Sequence, residues 1–278
     1  MKRMNRWFAA ALAAVLALGC ISPALALTDE ENQELQIGQQ VYQQLAQKGE
    51  IIQSSPYYTT LNSIARRIAP VADKKYFAPF HFFLVHESQP NAFSVPGGNV
   101  YVTDSMMTFV KNNEELAGVL CHEVSHDIHH DVMNVYRKNQ QLGLYATIAD
   151  LLLGGGRNQI ANTVINLAAN LKSLTFSRAV EHNADATGAY ICADSDVTPW
   201  SMVWLMQQFE SNPTGSPPEF LSDHPSDSHR IQSLESEFAS DPSTFSKFNE
   251  NKNCATPIGT ANWNSQLKGA CTRRQPGH

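Results

Sequence analysis

The residues best suited to chemistry are His122 and His126, which stand four positions apart with Glu123 directly after the first. Two asparagines at 112–113 and regularly spaced apolar residues from Leu116 to Val124 predict a helix here. Side chains four positions apart share one face of a helix, so both imidazoles can bind one ion. Glu123 would then stand beside that ion, where it could take a proton from bound water. This HExxH pattern is typical of zinc hydrolases.

A zinc site of this kind needs a third protein ligand, and the segment Ser177–Asp185 offers one. Glu181 and Asp185 are again four positions apart in a predicted helix. One carboxylate could bind the metal, while the other could accept the outer N–H of a ligating histidine and fix its tautomer. From these residues alone, an acidic pair on a solvated helix surface is the alternative interpretation.

Four motifs together resemble those of peptidase family M48. In chain order they are N-A-F-x-x-P-G-G from Asn91 to Gly98, HExxH, S-R-x-x-E-x-x-A-D-x-x-G from Ser177 to Gly188, and H-P-x-x-x-x-R from His224 to Arg230. They extend over about residues 85–235. In the absence of a helical-repeat extension or membrane spans, the chain is most similar to the small periplasmic or lipoprotein members.

The resemblance implies a role for each matched residue. The zinc ligands would be His122, His126 and Glu181, with one zinc ion per chain. Glu123 would be the general base, and Asp185 would support a ligand from outside the coordination shell.

Three further roles follow from the resemblance. His224 would either donate to the tetrahedral oxyanion or act as a fourth zinc ligand that holds the enzyme latent. Arg230 would steady that loop or contact substrate carbonyls. The strand through Val95, Pro96, Gly97 and Gly98 would be a sheet edge that aligns an extended peptide. Three other histidines, at 129, 130 and 182, are predicted to be structural.

Apolar periodicity predicts the elements that position these residues. Helices are expected at 28–48 and 56–68, a strand at 80–86, and two short strands within 91–102 around a turn at Pro96–Asn99. The pattern after Asp104 is helical as far as the polar tail. Together with the resemblance, this predicts an α+β, mainly helical, zincin-like metallopeptidase domain with a small β-sheet over the HExxH helix.

The two ends of the chain differ from this domain, which we place at 27–239. Residues 1–26 are predicted to be a secretory signal peptide, because basic residues precede the apolar run Trp7–Leu18 and the small residues of Ala24–Ala26 follow it. Cleavage near Ala26 would give a periplasmic protein. The alternative is an outer-membrane lipoprotein attached through Cys20. Residues 240–278 would form a polar C-terminal tail.

Cysteine positions add two expectations. Cys254 and Cys271 lie in the tail and would form a disulfide in an oxidising compartment. Cys121 and Cys192 fall in apolar helical patterns and are predicted to be buried thiols. Cys192 lies eleven residues beyond Glu181, roughly 16 Å along a helix. A disulfide needs Cα atoms within about 7 Å, so no bond between Cys121 and Cys192 is expected.

Composition narrows the class of partner. Apolar residues make up 42% of the 278-residue chain, which is typical of a globular protein, and its net charge is −6 without a basic patch. Nucleic acid is therefore not expected as a partner. The segment 142–172 is predicted to be a helical hairpin that lies either on the domain or in peripheral contact with the membrane, and no transmembrane span is expected in the mature chain.

The function predicted from these features is zinc-dependent endoproteolysis in the bacterial cell envelope. Its expected partners are polypeptide substrates, misfolded envelope proteins above all. Two alternatives remain: a latent zinc-bound periplasmic chaperone or assembly factor with little proteolysis, and a zinc hydrolase of non-peptide bonds.

Overall fold

The computed structural model describes residues 27–140, 175–210, 219–224, 228–251, 254–255 and 272–273. Its helices are α1 (Asp29–Gln47), α2 (Tyr57–Ala72), α3 (Asp104–Phe109), α4 (Asn113–Ile128), α5 (Asp131–Gln140), α6 (Arg178–Asp194), α7 (Trp200–Glu210), α8 (Glu219–Asp223), α9 (Ser228–Ser240) and α10 (Pro242–Phe245), followed by a 3₁₀ helix (Ser246–Asn251). Its strands are β1 (His81–Val85), β2 (Ala92–Val95), β3 (Asn99–Thr103), β4 (Cys254–Ala255) and β5 (Thr272–Arg273). The predicted fold class, mainly helical with a small sheet, is confirmed.

A reciprocal pair of hydrogen bonds caps the start of α1. The side chain of Thr28 accepts a hydrogen bond from the backbone of Glu31, and the Glu31 carboxylate accepts one from the backbone of Thr28. This reciprocal pair satisfies two N–H groups that a helix start leaves without partners. The buried face of α1 carries Val41 and Leu45, which pack against the sheet residues Val85 and Tyr101.

The sheet has three strands in the order β1-β3-β2. β1 runs parallel to β3, and β2 pairs with β3 in antiparallel register. The turn between β2 and β3 contains Gly97 and Gly98, whose φ angles are +95° and +87°. Both are values that glycine adopts without strain. Because β3 is the central strand, β2 lies at one edge of the sheet.

Helix α4 lies at the centre of the described fold, and every residue from Asn113 to Asp127 is buried. It packs against helices α2, α6 and α7 and also against strands β2 and β3. The sheet consequently covers the HExxH helix, as predicted. The apolar face of α4 is part of a core that includes Leu61, Ile64, Val102 and Leu120.

The beginning of the predicted polar tail packs on the helical domain. Phe245 and Phe248 are each 1% exposed and contact a cluster that includes Ala189 and Phe238. The residues of α10 and the 3₁₀ helix are therefore part of the packed structure. Cys271 lies outside the described residues, so the Cys254–Cys271 disulfide stays a prediction.

The expectation for Cys121 and Cys192 is wrong, because the two residues form a disulfide with Cα atoms 5.8 Å apart. The distance along α6 from Glu181 does not measure the distance to α4. The helices cross where Gly188 meets the backbone of Cys121: a Cβ atom at Gly188 would lie 3.1 Å from the Cys121 carbonyl oxygen. Cys192 follows one turn later, on the same side, and so reaches Cys121.

Two further predictions fall on residues outside the described ranges. These are the signal peptide at 1–26 and the hairpin at 142–172. Within the described ranges, no helix combines the length and the apolar character that a membrane span requires.

Candidate metal centre

Helix α4 presents the HExxH residues from a buried position. Asn112 caps it by accepting a hydrogen bond from the Glu115 N–H at 2.8 Å. His122, Glu123 and His126 are at most 3% exposed. The Nε2 atoms of the two histidines lie 3.0 Å apart, so their imidazoles converge on one point as the spacing predicted.

Helix α6 brings a carboxylate to the same point. Ser177 caps its first turn, and Glu181 lies one turn into the helix, fully buried. Its Oε2 atom is 3.5 Å from Nε2 of His122, and its Oε1 atom is 3.7 Å from Nε2 of His126. The close crossing at Gly188 makes this approach of two helices possible.

His224 completes the cluster from the residue after α8. Its Nδ1 atom lies 3.0 Å from Oε1 of Glu181 and 3.2 Å from Nε2 of His122. Its Nε2 atom faces Glu123 at 3.5 Å from Oε1. The four candidate donor atoms, from His122, His126, Glu181 and His224, lie within 4.8 Å of one another.

Two carboxylates hold the outer nitrogens of the α4 histidines. Oδ1 of Asp185 lies 3.0 Å from Nδ1 of His122, and Oδ2 of Asp131 lies 2.9 Å from Nδ1 of His126. Sequence reasoning anticipated Asp185 and missed Asp131. The signal was present as an acidic residue five positions after His126, at the start of the next helix. The turn at residues 129–130 brings the Asp131 carboxylate back to the imidazole of His126.

Arg230 on α9 connects the acidic residues of the site. Its Nε and one terminal nitrogen each donate to Asp185 at 2.7 Å, and its other terminal nitrogen lies 2.9 Å from Oε2 of Glu181. That same nitrogen is 3.4 Å from the carbonyl oxygen of His224. Arg230 is 3% exposed. The structure thus places Arg230 against the carboxylates and the His224 backbone.

The donor set fits a zinc ion. Carboxylates within 3.0 Å of Nδ1 of both rings favour a proton on each Nδ1, which leaves the two Nε2 atoms to bind a cation. Two Nε2 atoms 3.0 Å apart beside an ionised carboxylate are stabilised by a positive charge, which either a proton or a metal ion can supply. Donors around a tetrahedral zinc with bonds of about 2.0–2.1 Å stand about 3.3 Å apart. The donor atoms of His122, His126 and Glu181 are separated by 3.0–3.7 Å, and these distances lie on both sides of that value.

Burial and charge act on the titrating groups of the cluster. Burial raises the pKa of Glu123 to about 8, against the opposing effect of His122. Burial lowers the pKa of His224 to about 4. For His122 burial works in the same direction, but hydrogen bonds to Asp185 and Glu181 outweigh it and raise the pKa to about 10. Glu181 stays ionised, because His224 and His122 hold its pKa far below the usual range despite burial.

The predicted peptide-aligning segment lies differently from the expected edge. Only Val95 belongs to β2, whereas Pro96, Gly97 and Gly98 form the turn. That turn is covered by α1: a Cβ atom at Gly38 would meet the Pro96 carbonyl oxygen at 2.5 Å. The role of this segment in peptide alignment stays a prediction. The part of β2 that precedes the turn is Ala92–Val95, and β2 packs against α4.

Aromatic rings enclose the cluster. Phe176 stacks on His126 with ring centres 4.3 Å apart, and Phe220 stacks on His224 at 4.6 Å. Sequence analysis identified neither. The other histidines lie elsewhere: His129 bonds Thr187 at 2.9 Å, and His130 bonds Glu34 at 2.7 Å.

Comparison with known proteins gives a consistent result. A model of peptidase family M48 matches residues 58–238, more than half of the chain. The beta-barrel assembly-enhancing protease of Escherichia coli O157:H7 is 25% identical over 252 residues, covering 83% of this chain and 52% of the relative. The mitochondrial metalloendopeptidase OMA1 of Schizosaccharomyces pombe is 26% identical over 209 residues, covering 73% and 60%. A protease HtpX homolog of Thermoanaerobacter pseudethanolicus is 27% identical over 236 residues, covering 69% and 76%. The chain spans about half the length of the beta-barrel assembly-enhancing proteases that it matches.

Proposed function

Because the chain belongs to peptidase family M48, we propose that it is a zinc-dependent endopeptidase. The observation that carries this proposal is the convergence of His122, His126 and Glu181 beside Glu123, with the outer histidine nitrogens held by carboxylates. These three residues would hold the ion. When bound, zinc supplies a Lewis acid that polarises the scissile carbonyl and lowers the pKa of a water molecule.

The protein's own groups carry the remaining steps. Glu123 accepts the proton of the attacking water and passes it to the leaving amine. An extended peptide pairs with the outward backbone groups of Ala92 and Ser94, which places a peptide bond next to Glu123. Burial of the cluster keeps bulk water away, which strengthens the interaction of Glu123 with developing charge.

We assign His224 the role of fourth ligand in the state that the structure describes. Support comes from its Nδ1 atom, which is as close to Glu181 and His122 as those residues are to each other. A histidine in that position occupies the place that the attacking water needs, so this state is latent. Arg230 stabilises it by contact with the His224 carbonyl oxygen.

Hydrolysis of fluorescent casein by the purified, zinc-loaded protein tests the proposal. The wild type should cleave slowly, His224→Ala should cleave faster, and Glu123→Gln should reduce either rate by roughly a thousandfold. A chelator should abolish activity, and zinc should restore it. Equal rates for the wild type and Glu123→Gln would contradict the assignment of Glu123 as the general base.

The position of His224 also favours a second candidate, a latent zinc-bound chaperone or assembly factor. The two candidates separate in cells that lack the native gene. If Glu123→Gln supports the cellular role while His122→Ala does not, binding alone is the function. If both variants fail, hydrolysis is required.

We further propose that the protein acts in the cell envelope after removal of residues 1–26. The Cys121–Cys192 disulfide supports this location, because structural disulfides persist in oxidising compartments such as the periplasm. Attachment through Cys20 is the alternative. The substrates would be misfolded envelope proteins, since unfolded chains offer the extended backbone that a sheet edge binds.

A further inference from the structure

The segment that carries His224 is fastened to the start of β2. The side-chain amide of Asn91 donates to Oδ2 of Asp223 at 3.0 Å, and the Phe220 N–H donates to the Pro90 carbonyl at 3.3 Å. Asn91 and Asp223 are 2% and 5% exposed. Asp223 directly precedes His224, so this contact fixes the residue next to the fourth ligand.

Asn91 is itself held firmly against β3. Its N–H donates to Oγ1 of Thr103 at 2.9 Å, and its carbonyl accepts the Thr103 N–H at 3.0 Å. The backbone of Asn91 thus faces inward, toward β3. Because strand residues alternate, the backbone groups of Ala92 and Ser94 face outward, toward the edge of the sheet on which no further strand lies among the described residues.

The outward N–H group of Ala92 is already used. Oδ1 of Asn91 accepts it at 2.8 Å. A peptide that adds to β2 needs that same N–H group. It must therefore displace the Asn91 side chain from Ala92.

We propose that Asn91 and Asp223 form a latch that couples peptide docking on β2 to the release of His224 from the metal centre. Asn91 uses one amide group for both contacts: its oxygen covers Ala92 and its nitrogen holds Asp223. Rotation of this amide by an incoming peptide breaks the bond to Asp223. The segment with His224 then loses the hydrogen bond between Asp223 and the sheet, while the 3.3 Å contact of Phe220 with Pro90 remains, and the water position opens as His224 moves away.

This inference rests on the proposed function and gives Asn91 and Asp223 positioning roles. A hydrogen bond to an ionised acceptor shifts an equilibrium by about tenfold. Since only the released state binds peptide, the latch raises the apparent KM by that factor and leaves kcat unchanged. Coupling of this kind is reciprocal, so removal of His224 removes the effect of the latch on KM.

A charge-exchange series tests the latch with two readouts: hydrolysis of fluorescent casein, and equilibrium binding of casein to the same variants carrying Glu123→Gln, in which the apparent Kd should change as KM does. Asn91→Asp places two carboxylates together and breaks the latch, so KM should fall about tenfold with kcat within about twofold. Asp223→Asn keeps an acceptor oxygen but loses its charge, so KM should fall by less than in Asn91→Asp. The double variant Asn91→Asp/Asp223→Asn restores a donor opposite a carboxylate and should return KM to the wild-type value.

The same Asn91→Asp change in a His224→Ala background should leave KM unaltered, whereas a merely structural role of Asn91 would affect both backgrounds alike. An unchanged or raised KM for Asn91→Asp in the otherwise wild-type protein, or no rescue by Asp223→Asn, would overturn the latch. Failure of the proposed function looks different, because then neither the wild type nor His224→Ala hydrolyses casein.

Discussion

Asp131 and Asp185 each lie within 3.0 Å of the outer nitrogen of one histidine in the candidate metal centre, and neither is among its four candidate ligands. Partners of this kind fix a ring's tautomer and direction and change metal affinity about 10–100-fold. We therefore expect the metal affinity of the site to depend on these two carboxylates as well as on the four donors.

We predict that Asp131→Asn weakens zinc binding by about tenfold, because the neutral amide no longer favours a proton on Nδ1 of His126. Competition with a chromophoric chelator measures the affinity. The exposed Asp194→Asn on α6 is the matched control and should leave the affinity unchanged. Equal affinities for the two variants would show that Asp131 has no part in the site.

The spacing of the candidate metal ligands was predictable from the sequence, but the residues that orient those ligands were predictable only in part. His122, His126 and Glu181 lie in helices, where a four-residue spacing fixes a shared face. Asp131 acts across a turn in which His130 adopts a φ of +54°. Asn91 and Asp223 lie 132 positions apart. Local patterns carry no information about contacts of that range.

At the scale of elements, the crossing of α4 and α6 determines the site. α4 carries two of the donors and α6 carries the carboxylate, while the disulfide joins the same two helices beside the crossing. The sequence predicted both helices from periodicity. It did not predict their crossing, which is why the disulfide was missed: the approach depends on packing at Gly188, not on distance along one helix.

Removal of the disulfide should destabilise the protein by about 2–4 kcal/mol, because the bond restricts the unfolded chain. Denaturant unfolding of Cys121→Ala/Cys192→Ala against the wild type, both zinc-loaded, measures the difference. The same comparison under reducing conditions is the control, because reduction of the wild type should remove the difference. An unfolding free energy equal to that of the wild type would show that Cys121 and Cys192 are free thiols in solution.

At the scale of the whole molecule, α1 and the sheet enclose one side of the active-site helix and α6–α9 the other. α1 covers the β2–β3 turn, while Asn91 and Phe220 tie α8 to the beginning of β2. The cluster is therefore buried from both sides in this state. If the protein acts as we propose, a polypeptide reaches the cluster only after the His224 segment has moved.

The proposed export of the protein predicts where its mature chain begins. After expression in a Gram-negative host, the mature protein should begin at Leu27, because the small residues of Ala24–Ala26 form the cleavage site. Mass spectrometry of the intact protein from the periplasmic fraction measures this. A chain that begins at a lipid-modified Cys20 would favour the lipoprotein alternative instead.

The central claim is that His122, His126 and Glu181 hold one zinc ion beside Glu123. A crystal structure with anomalous data collected on both sides of the zinc absorption edge tests it most directly. The account predicts one peak per chain about 2.0–2.2 Å from Nε2 of His122, Nε2 of His126 and a carboxylate oxygen of Glu181, with Nδ1 of His224 as the fourth contact. A zinc-loaded crystal without a peak among these residues, or with the peak elsewhere, would contradict it.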